Sequence, residues 1–263
     1  MSIVDFHNHL IPSVDDGAQT VEDARQGVAA FVADGVTAFV ATPHFEGGLT
    51  QDRDLLRNRL GEIDEGWAEL ETLCRTQFPQ VRIFRGVELL LDVPEPDLSD
   101  ERLRLNGGQY FLVEFPFMAV PPHAAHALRA LSSGPYRPVL AHPERYQGVV
   151  STDAVAQWKE AGALLQVNGG SLLGRFGNRA RGVAFELLHR GLVDYVCSDY
   201  HARGEPMAAA YYDVLVQSGG PELARTLMET NPGRLLQGEA PLPVAPLRSA
   251  NRSVWQRVSR IFR

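Results

Sequence analysis

Residues 4–9 have the sequence VDFHNH, in which a short run of β-branched and aromatic residues ends in His7 and His9. Alternate residues of a β-strand point to the same side, so both imidazoles can face one metal ion. A single His-x-His pair at a strand end is only weakly indicative of a metal site. It becomes informative here because an apolar run followed by an acid or an imidazole recurs along the chain.

Seven short runs of β-branched and aromatic residues predict strands: 2–6, 36–41, 81–87, 110–115, 138–141, 163–167 and 194–197. Stretches between them predict helices, the first between the N-cap Thr20 and the stop at Gly35 and the others at 51–78, 124–131, 152–161, 175–190, 207–217 and 222–229. After Asn231-Pro232 the helical pattern is expected to decay. Alternating strands and helices indicate an α/β protein with a mainly parallel sheet, and this number of units suggests a closed barrel.

The chain has 263 residues, of which 44% are hydrophobic, which fits one large domain or two small ones, and we expect one. We assign residues 1–240 to the barrel and residues 241–263 to a Pro-rich linker and a basic amphipathic tail. A terminal helix packed on the barrel or a disordered end is the simpler interpretation of this tail. Contact with an acidic partner or a membrane surface is the alternative. The basic residues of the tail are Arg248, Arg252, Arg257, Arg260 and Arg263.

The composition argues against a nucleic-acid-binding, membrane-spanning or disulfide-rich secreted protein. A net charge of -7 argues against non-specific binding to nucleic acid, which needs a basic surface. The sequence shows neither an apolar leader nor a run long enough to span a bilayer, and Cys74 and Cys197 cannot build a disulfide framework. We therefore expect a cytoplasmic protein.

Nearly every predicted strand delivers an acid or an imidazole at its carboxyl end, where parallel barrels place their active sites. Glu88 and Glu114 follow apolar runs and should be buried, at a cost of several kcal/mol unless cations neutralise them. An ion-pair network would instead need Lys or Arg at the same strand ends, where none is expected. More side chains converge than one ion needs, which suggests two or three ions. The converging residues are His7, His9, Asp15, Asp16, His44, Glu88, Glu114, His142, Asp199 and His201.

This pattern resembles that of the polymerase-and-histidinol-phosphatase (PHP) superfamily. Within it, the chain is most similar to the bacterial tyrosine-protein phosphatases associated with capsular and exopolysaccharide synthesis. The resemblance implies a distorted (β/α)7 TIM-like barrel with three divalent ions, most often Mn2+, with Fe, Zn or Mg as other occupants. The matching stretches are VDFHNHLIPSVDDGAQT, ATPHF, GVEL, LVEFP, AHPERY, LLQVNGGSLLGRFG and SDYHA, from Val4 to His201.

The resemblance also implies a grouping of the metal ligands by motif position. Asp15, next to the predicted ligand Asp16, is expected to contact a ligand rather than a metal ion. The implied ligands are His7, His9, Glu88 and Asp199 for the first ion, Glu88 as a bridge with Glu114 and His142 for the second, and Asp16, His44 and His201 for the third.

Arg145 corresponds to the family's phosphate-binding arginine, and its planar guanidinium can hold two phosphoryl oxygens. It could instead cap a helix or pair with Glu144. Arg203 lies closer to the last histidine than the second arginine of the family does, and it could bind phosphate through a shortened loop.

The implied reaction is attack of a metal-activated hydroxide on a phosphotyrosine monoester, with no covalent phosphoenzyme. Phenolate leaves more readily than an alkoxide because the reference pKa of tyrosine is near 10. A protonated His201 or a water molecule would act as the general acid. The resemblance points to a phosphotyrosine protein as substrate, namely an autophosphorylated bacterial tyrosine kinase of polysaccharide synthesis.

Four other functions fit parts of the sequence. Cys197 and Arg203 have the Cys-x5-Arg spacing of thiolate phosphatases, but the intervening residues contain no glycine and include Asp199, which would repel phosphate. A histidinol-phosphate phosphatase would use the same metals on an alkyl phosphate. An amidohydrolase also begins with His-x-His, but it typically carries a metal-bridging lysine or a different arrangement of carboxylates. The only lysine here is Lys159, in a predicted helix. A non-enzymatic accessory barrel should have lost ligand residues, and this chain keeps them.

Overall fold

A computed structural model describes residues 2–116, 119–147 and 152–247 of the chain. The strands of the described residues are all parallel and form two sheets, with orders β1-β2-β4 and β3-β5-β6-β7-β8-β9. Their bounds are β1 Ile3–Asp5, β2 Val36–Ala41, β3 His44–Glu46, β4 Arg82–Arg85, β5 Glu88–Leu90, β6 Tyr110–Glu114, β7 Arg137–Ala141, β8 Leu164–Asn168 and β9 Tyr195–Cys197.

The two sheets form one barrel because two of the predicted strands continue from one sheet into the other. β2 is interrupted at residues 42–43 and resumes as β3, and β4 resumes as β5 after residues 86–87. Pro43 has no N–H to donate to a neighbouring strand, which suits the first interruption. A parallel bridge between Asn8 and Tyr200 joins the first run to the last. The described strand runs thus form the predicted seven-stranded (β/α) barrel.

The helices lie close to their predicted positions. The hydroxyl of Thr20 accepts a hydrogen bond from Asp23 N at the start of α1, as predicted, and Asp52 caps α2 in the same way. The helices of the described residues are α1 Val21–Ala33, α2 Arg53–Gln77, α3 Ala124–Ser132, α4 Thr152–Glu160, α5 Gly169–Leu172, α6 Gly177–His189, α7 Ala208–Gly219, α8 Pro221–Arg225 and α9 Asn231–Leu236, with short 3-10 turns at Gly47–Gln51, Glu101–Leu103 and Leu105–Gly107.

The predicted end of helical structure at Asn231-Pro232 is wrong. A π-turn at Thr226–Thr230 follows α8 and leads into α9, which ends at Leu236. Proline is tolerated in the first turn of a helix because its missing N–H has no partner to lose there. The sequence also gave no sign of the short helix α5.

The core has two layers. Along β6, Phe111 and Val113 belong to the outer cluster between strands and helices, whereas Tyr110 and Leu112 belong to a smaller cluster inside the barrel. Because side chains alternate along a strand, Glu114 lies on the same inner side at the carboxyl end. The interior is therefore packed, and Glu114 lies above this packing, at the end of the strand where parallel barrels place their active sites.

The start of the predicted linker packs against the barrel. Leu242 N donates to Asn231 Oδ1 at 2.7 Å, Leu247 N donates to His189 O at 3.1 Å, and Val244 contacts the outer core. The arginine-rich tail, residues 248–263, lies outside the described residues, so the proposed division at residue 240 stays a prediction. Within the described part of the chain, no helix has the length and apolarity needed to cross a membrane.

Candidate metal centre

The predicted ligands come together at the carboxyl ends of the strands. His142 contacts the cluster through Nε2, which lies 3.0 Å from Glu88 Oε1. The other predicted ligands form three overlapping groups, in each of which the potential ligand atoms lie within 4.8 Å of one another: His7, His9, Glu88 and Asp199; His9, Asp16, His44 and His201; and His44, Glu88 and Glu114.

Glu88 lies at the centre of this cluster. Its carboxylate is fully buried, and its oxygens lie 3.1 Å from His7 Nε2, 3.5 Å from His9 Nε2 and 3.1 Å from His44 Nδ1. The pairing of β3 with β5 places His44 directly opposite Glu88. This central position fits the predicted role of Glu88 as a ligand shared between two ions.

Hydrogen bonds orient the imidazoles of His9 and His201. His9 Nδ1 lies 2.7 Å from Asp15 Oδ2, and His201 Nδ1 lies 2.9 Å from the carbonyl oxygen of Asp199. Carbonyl and carboxylate oxygens only accept, so each Nδ1 carries the proton. Each Nε2 faces the cluster and, once deprotonated, offers a lone pair to a metal ion, as metal-binding histidines do.

Asp15 has the supporting position that was predicted for it. Besides holding His9, its carboxylate accepts from His44 N at 3.0 Å and from Gly17 N at 2.9 Å. A Cβ at Gly17 would lie 2.1 Å from the carbonyl oxygen of His9, so only glycine allows this turn to close on the first strand.

Arg59 of α2 fixes the loop that carries Asp15 and Asp16. Its Nη2 donates to the carbonyl oxygens of Val14 at 2.9 Å and of His44 at 3.0 Å. One guanidinium therefore sets the distance between the loop of Asp16 and the strand of His44, which belong to the same potential ligand group.

Several atoms of the predicted ligands lack the partners that buried polar atoms normally have. Among the described residues, His7 Nε2, His9 Nε2 and Glu88 Oε2 are buried without a hydrogen-bond partner. Such an orphaned atom costs about 1–3 kcal/mol. Imidazole nitrogens and carboxylate oxygens that face one another in this way match the ligands of divalent transition metals. The residues present therefore fit the metal ions that the motifs imply.

The carboxylates and imidazoles of the cluster shift one another's pKa values. Burial and the nearby charge of Glu88 raise the pKa of Glu114 to about 7. Burial lowers the pKa of His7, but the charges of Glu88 and Asp199 outweigh it and raise that pKa to about 9. Burial likewise opposes ionisation of Glu88, yet the adjacent His7, His142 and His44 hold its pKa well below the usual value. The carboxylates thus draw positive charge into the site.

Two of the predicted ligands have a strained backbone. His142 has φ 35° and Asp199 has φ 54°, both in the left-handed region that non-glycine residues rarely adopt. Each such residue costs of order 1–3 kcal/mol, and such strain clusters at functional sites.

Arg145 pairs with Asp199, through a hydrogen bond from Nη1 to Oδ2. The expectation that no basic side chain would lie at the strand ends is therefore wrong, because the turn after His142 brings Arg145 back over the cluster. The alternative pairing with Glu144 is not formed. The buried Glu144 carboxylate instead accepts from Asn168 N and Ser171 Oγ, at 3.0 Å and 2.7 Å.

Arg203 lies on the other loop of the site. Its Nη2 donates to the carbonyl oxygen of Asp16, so it holds the loop of a predicted ligand. It also borders a cleft of about 310 Å³ beside the cluster. The side chains that line this cleft include Arg175, Phe176, Asp199, His201 and Arg203.

Cys197 is unsuited to nucleophilic attack. It is fully buried in the cluster inside the barrel, and burial raises the pKa of its thiol well above the usual value. A reactive cysteine needs access to the substrate and a lowered pKa. The Cys-x5-Arg spacing is therefore coincidental.

Two polar residues that contact the cluster were not predicted. Gln166 Oε1 lies 2.9 Å from His7 Nδ1, and Asn168 Nδ2 donates to Asp199 Oδ2 at 3.2 Å. Their signal in the sequence is the pair of polar residues at alternate positions of the apolar strand LLQVN, which places both on the inner side of the barrel.

Comparison with known proteins identifies relatives over most of the chain. Residues 3–237 match the family described as capsular polysaccharide synthesis, CpsB/CapC. The tyrosine-protein phosphatase YwqE of Bacillus subtilis (strain 168) is 32% identical over 234 residues, which cover 86% of this chain and 89% of YwqE. The tyrosine-protein phosphatase CpsB of Streptococcus pneumoniae is 25% identical over 247 residues, or 90% and 99% of the two chains.

Solved structures show the same fold. A crystal structure from work on YwqE and CpsB, described as unique metal-dependent tyrosine phosphatases, matches with a TM-score of 0.79 and 28% identity and covers 94% of this chain and 100% of that chain. The phosphotriesterase of Mycobacterium tuberculosis matches with a TM-score of 0.55 at 13% identity, covering 92% and 95% of the two chains. At that identity the second match supports the barrel alone.

Proposed function

Because the chain belongs to the capsular polysaccharide synthesis family CpsB/CapC, we propose that it is a metal-dependent protein-tyrosine phosphatase that hydrolyses phosphotyrosine monoesters. The observation that carries the proposal is the group of buried, unpartnered imidazole and carboxylate atoms at the carboxyl ends of the strands. These atoms have the composition of a site for several divalent cations.

The proposed site holds three divalent ions, with Mn2+ as the metal in the cell. His9 belongs to two of the potential ligand groups, and Glu88 lies at the centre of the cluster. Both positions support ions that lie close together. The proposed ligands are His7, His9, Glu88 and Asp199 for the first ion, Glu88, Glu114 and His142 for the second, and Asp16, His44 and His201 for the third.

The chain's own residues bind and orient the phosphoryl group. Divalent cations bound in the cluster would lower the pKa of water and neutralise the phosphoryl oxygens. Arg145 can release Asp199 and direct its guanidinium at two phosphoryl oxygens. Arg203 borders the cleft beside the cluster and would add a second positive charge there. His201, whose Nδ1 is held by the Asp199 carbonyl, would bind a cation through Nε2. The proposed general acid is a water molecule or, when its Nε2 is free of a cation and protonated, His201.

The proposed substrate is a phosphorylated bacterial tyrosine kinase of polysaccharide synthesis, in the cytoplasm. The capsular polysaccharide role in the family description supports this choice. The net charge of -7 speaks against non-specific binding to nucleic acid. Co-purification with a tyrosine kinase from the native host, together with cell fractionation, tests both points.

The decisive experiment compares a phosphotyrosine peptide with histidinol phosphate as substrates. The purified protein is assayed as isolated, after chelation and after restoration of Mn2+, in parallel with His7→Ala and Cys197→Ser. We expect chelation and His7→Ala to abolish hydrolysis of the peptide, Mn2+ to restore the chelated protein, and Cys197→Ser to retain activity.

Three outcomes would contradict the proposal. A stripped protein that remains active would exclude metal dependence, and an inactive Cys197→Ser variant that still folds would favour a thiolate mechanism. Faster turnover of histidinol phosphate than of the peptide would instead assign the barrel to alkyl phosphates.

A further inference from the structure

Phe176 is an exposed aromatic residue at the edge of the candidate site. It is 43% exposed, and among the described residues it is the one aromatic side chain in the group of exposed large hydrophobic residues, the others being Val21, Leu55 and Leu242. A single exposed apolar side chain is common in proteins and implies nothing by itself. Phe176, however, lines the cleft that also contains the predicted ligands Asp199 and His201.

The ring of Phe176 is held in place on two sides. The guanidinium carbon of Arg145 lies 4.2 Å from the ring centroid, within the range of a cation–π contact. On another side, a Cβ at Gly170 would lie only 3.0 Å from Phe176 Cε2, so the ring occupies space that glycine leaves open. The same residue lines the cleft beside the cluster.

The position of Phe176 beside Arg145 suits a substrate that carries an aromatic ring next to its phosphoryl group. In an aryl phosphate the ring is separated from phosphorus by one ester oxygen, so a phosphoryl group held by Arg145 places the substrate ring close to the side chain stacked on Arg145. Aromatic rings that meet edge to face or offset attract each other beyond simple burial. An alkyl phosphate has no aromatic ring joined directly to the ester oxygen.

We propose that Phe176 is the residue that receives the aromatic ring of the substrate, and that this contact favours aryl over alkyl phosphates. The inference rests on the proposed function, because it takes the phosphoryl group to lie at Arg145 and the ligand cluster. The competing role for Phe176 is to orient Arg145, which would affect every phosphoryl ligand equally.

Two non-hydrolysable ligands separate these roles. Phenylphosphonate and methylphosphonate carry the same phosphoryl group, and only the first carries a ring. Their binding to the metal-loaded protein is measured by calorimetry for the native chain and for Phe176→Ala, Phe176→Leu and Phe176→Trp. The matched control is Leu242→Ala, which removes another exposed hydrophobic side chain, 41% exposed, outside the cleft lining.

We expect Phe176→Ala and Phe176→Leu to weaken phenylphosphonate about tenfold, methylphosphonate less than about twofold, and Phe176→Trp to keep the preference for the ring. Leu242→Ala should change neither ligand. The leucine variant keeps an apolar side chain of similar bulk, so a loss specific to phenylphosphonate would reflect the ring.

Equal weakening of both ligands would overturn the inference in favour of a role in orienting Arg145, and no weakening of either would overturn it outright. In both cases the native chain still hydrolyses phosphotyrosine, so the proposed function stands. If the native metal-loaded chain binds neither ligand and hydrolyses no phosphomonoester, the proposed function fails and this inference with it.

Discussion

The two ends of the barrel bury carboxylates in different ways. At the amino end, Asp194 precedes β9 and is nearly buried, and its carboxylate lies 2.6 Å from Lys159 Nζ and accepts from Leu165 N at 2.8 Å. At the carboxyl end, Glu88 and Glu114 lie in a cluster of histidines, several of whose nitrogen atoms have no hydrogen-bond partner.

The buried carboxylate at the amino end serves the stability of the fold, whereas those at the carboxyl end are available to a ligand. A buried carboxylate next to a fixed ammonium group satisfies the fold without any ligand. Carboxylates and imidazoles that face each other leave charge and lone pairs for a ligand to use. The only lysine of the chain is used at the amino end, where it makes an ion pair.

The largest expected effect is at the carboxyl end. Glu88→Gln removes the charge at the centre of the cluster, so we expect loss of bound metal and a fall in kcat/KM on a phosphotyrosine peptide of about 10³-fold. Metal content by elemental analysis and steady-state kinetics measure the two effects. Glu160→Gln, an exposed change on α4, is the control and should alter neither. A Glu88→Gln protein with full metal content and activity would remove Glu88 from the site.

The matching change at the amino end should affect stability and leave the metal untouched. Lys159→Met leaves Asp194 buried without its partner and should reduce the free energy of unfolding by about 3 kcal/mol at pH 8. Burial already raises the pKa of Asp194, and loss of the lysine raises it further. The penalty belongs to the ionised carboxylate, so it is complete above that pKa and disappears as the pH falls below it.

Denaturant unfolding at several pH values tests this prediction. The double variant Lys159→Met with Asp194→Asn should recover most of the stability, because no charge is left buried. If the double variant is no more stable than Lys159→Met, the loss comes from packing rather than from an unpaired charge.

Arg145 is a basic residue at the carboxyl end, where it pairs with Asp199 as Lys159 pairs with Asp194 at the amino end. Arg145→Lys keeps the charge but loses the planar pair of donors, so we expect kcat/KM on the phosphotyrosine peptide to fall about 50-fold. Metal content and the unfolding midpoint should stay unchanged. An equal loss of metal would show that Arg145 acts by holding Asp199 and not by binding phosphate.

The smallest expected effect comes from Arg59, which holds the loop of Asp16 next to the strand of His44. Arg59→Ala frees the loop of Asp16 from the strand of His44 and should weaken binding of the most loosely held ion about tenfold. Calorimetric titration with Mn2+ measures this change. Arg57→Ala, on the same helix and 75% exposed, is the matched control. Equal affinities for the two variants would leave Arg59 without a role in the metal centre.

Local patterns predicted the elements well. The capped helix after Thr20, the alternation along β6 and the seven strand runs depend on residues close in sequence, whose periodicity and capping chemistry are readable without a structure. The predictions fail where a contact between residues far apart in the chain determines the local structure. The continuation of α9 past Pro232 depends on packing, since Leu235 is buried in the cluster inside the barrel.

The sequence by itself determined that imidazoles and carboxylates follow the strands of a parallel barrel, and hence that they meet at one end. Barrel closure makes that inference general, because all parallel strands end on the same face. Only the tertiary structure decided which nitrogen of each imidazole faces the cluster, that Arg145 reaches Asp199, and that Cys197 is buried. These features depend on side-chain contacts between residues far apart in the chain, which strand spacing and residue type do not specify.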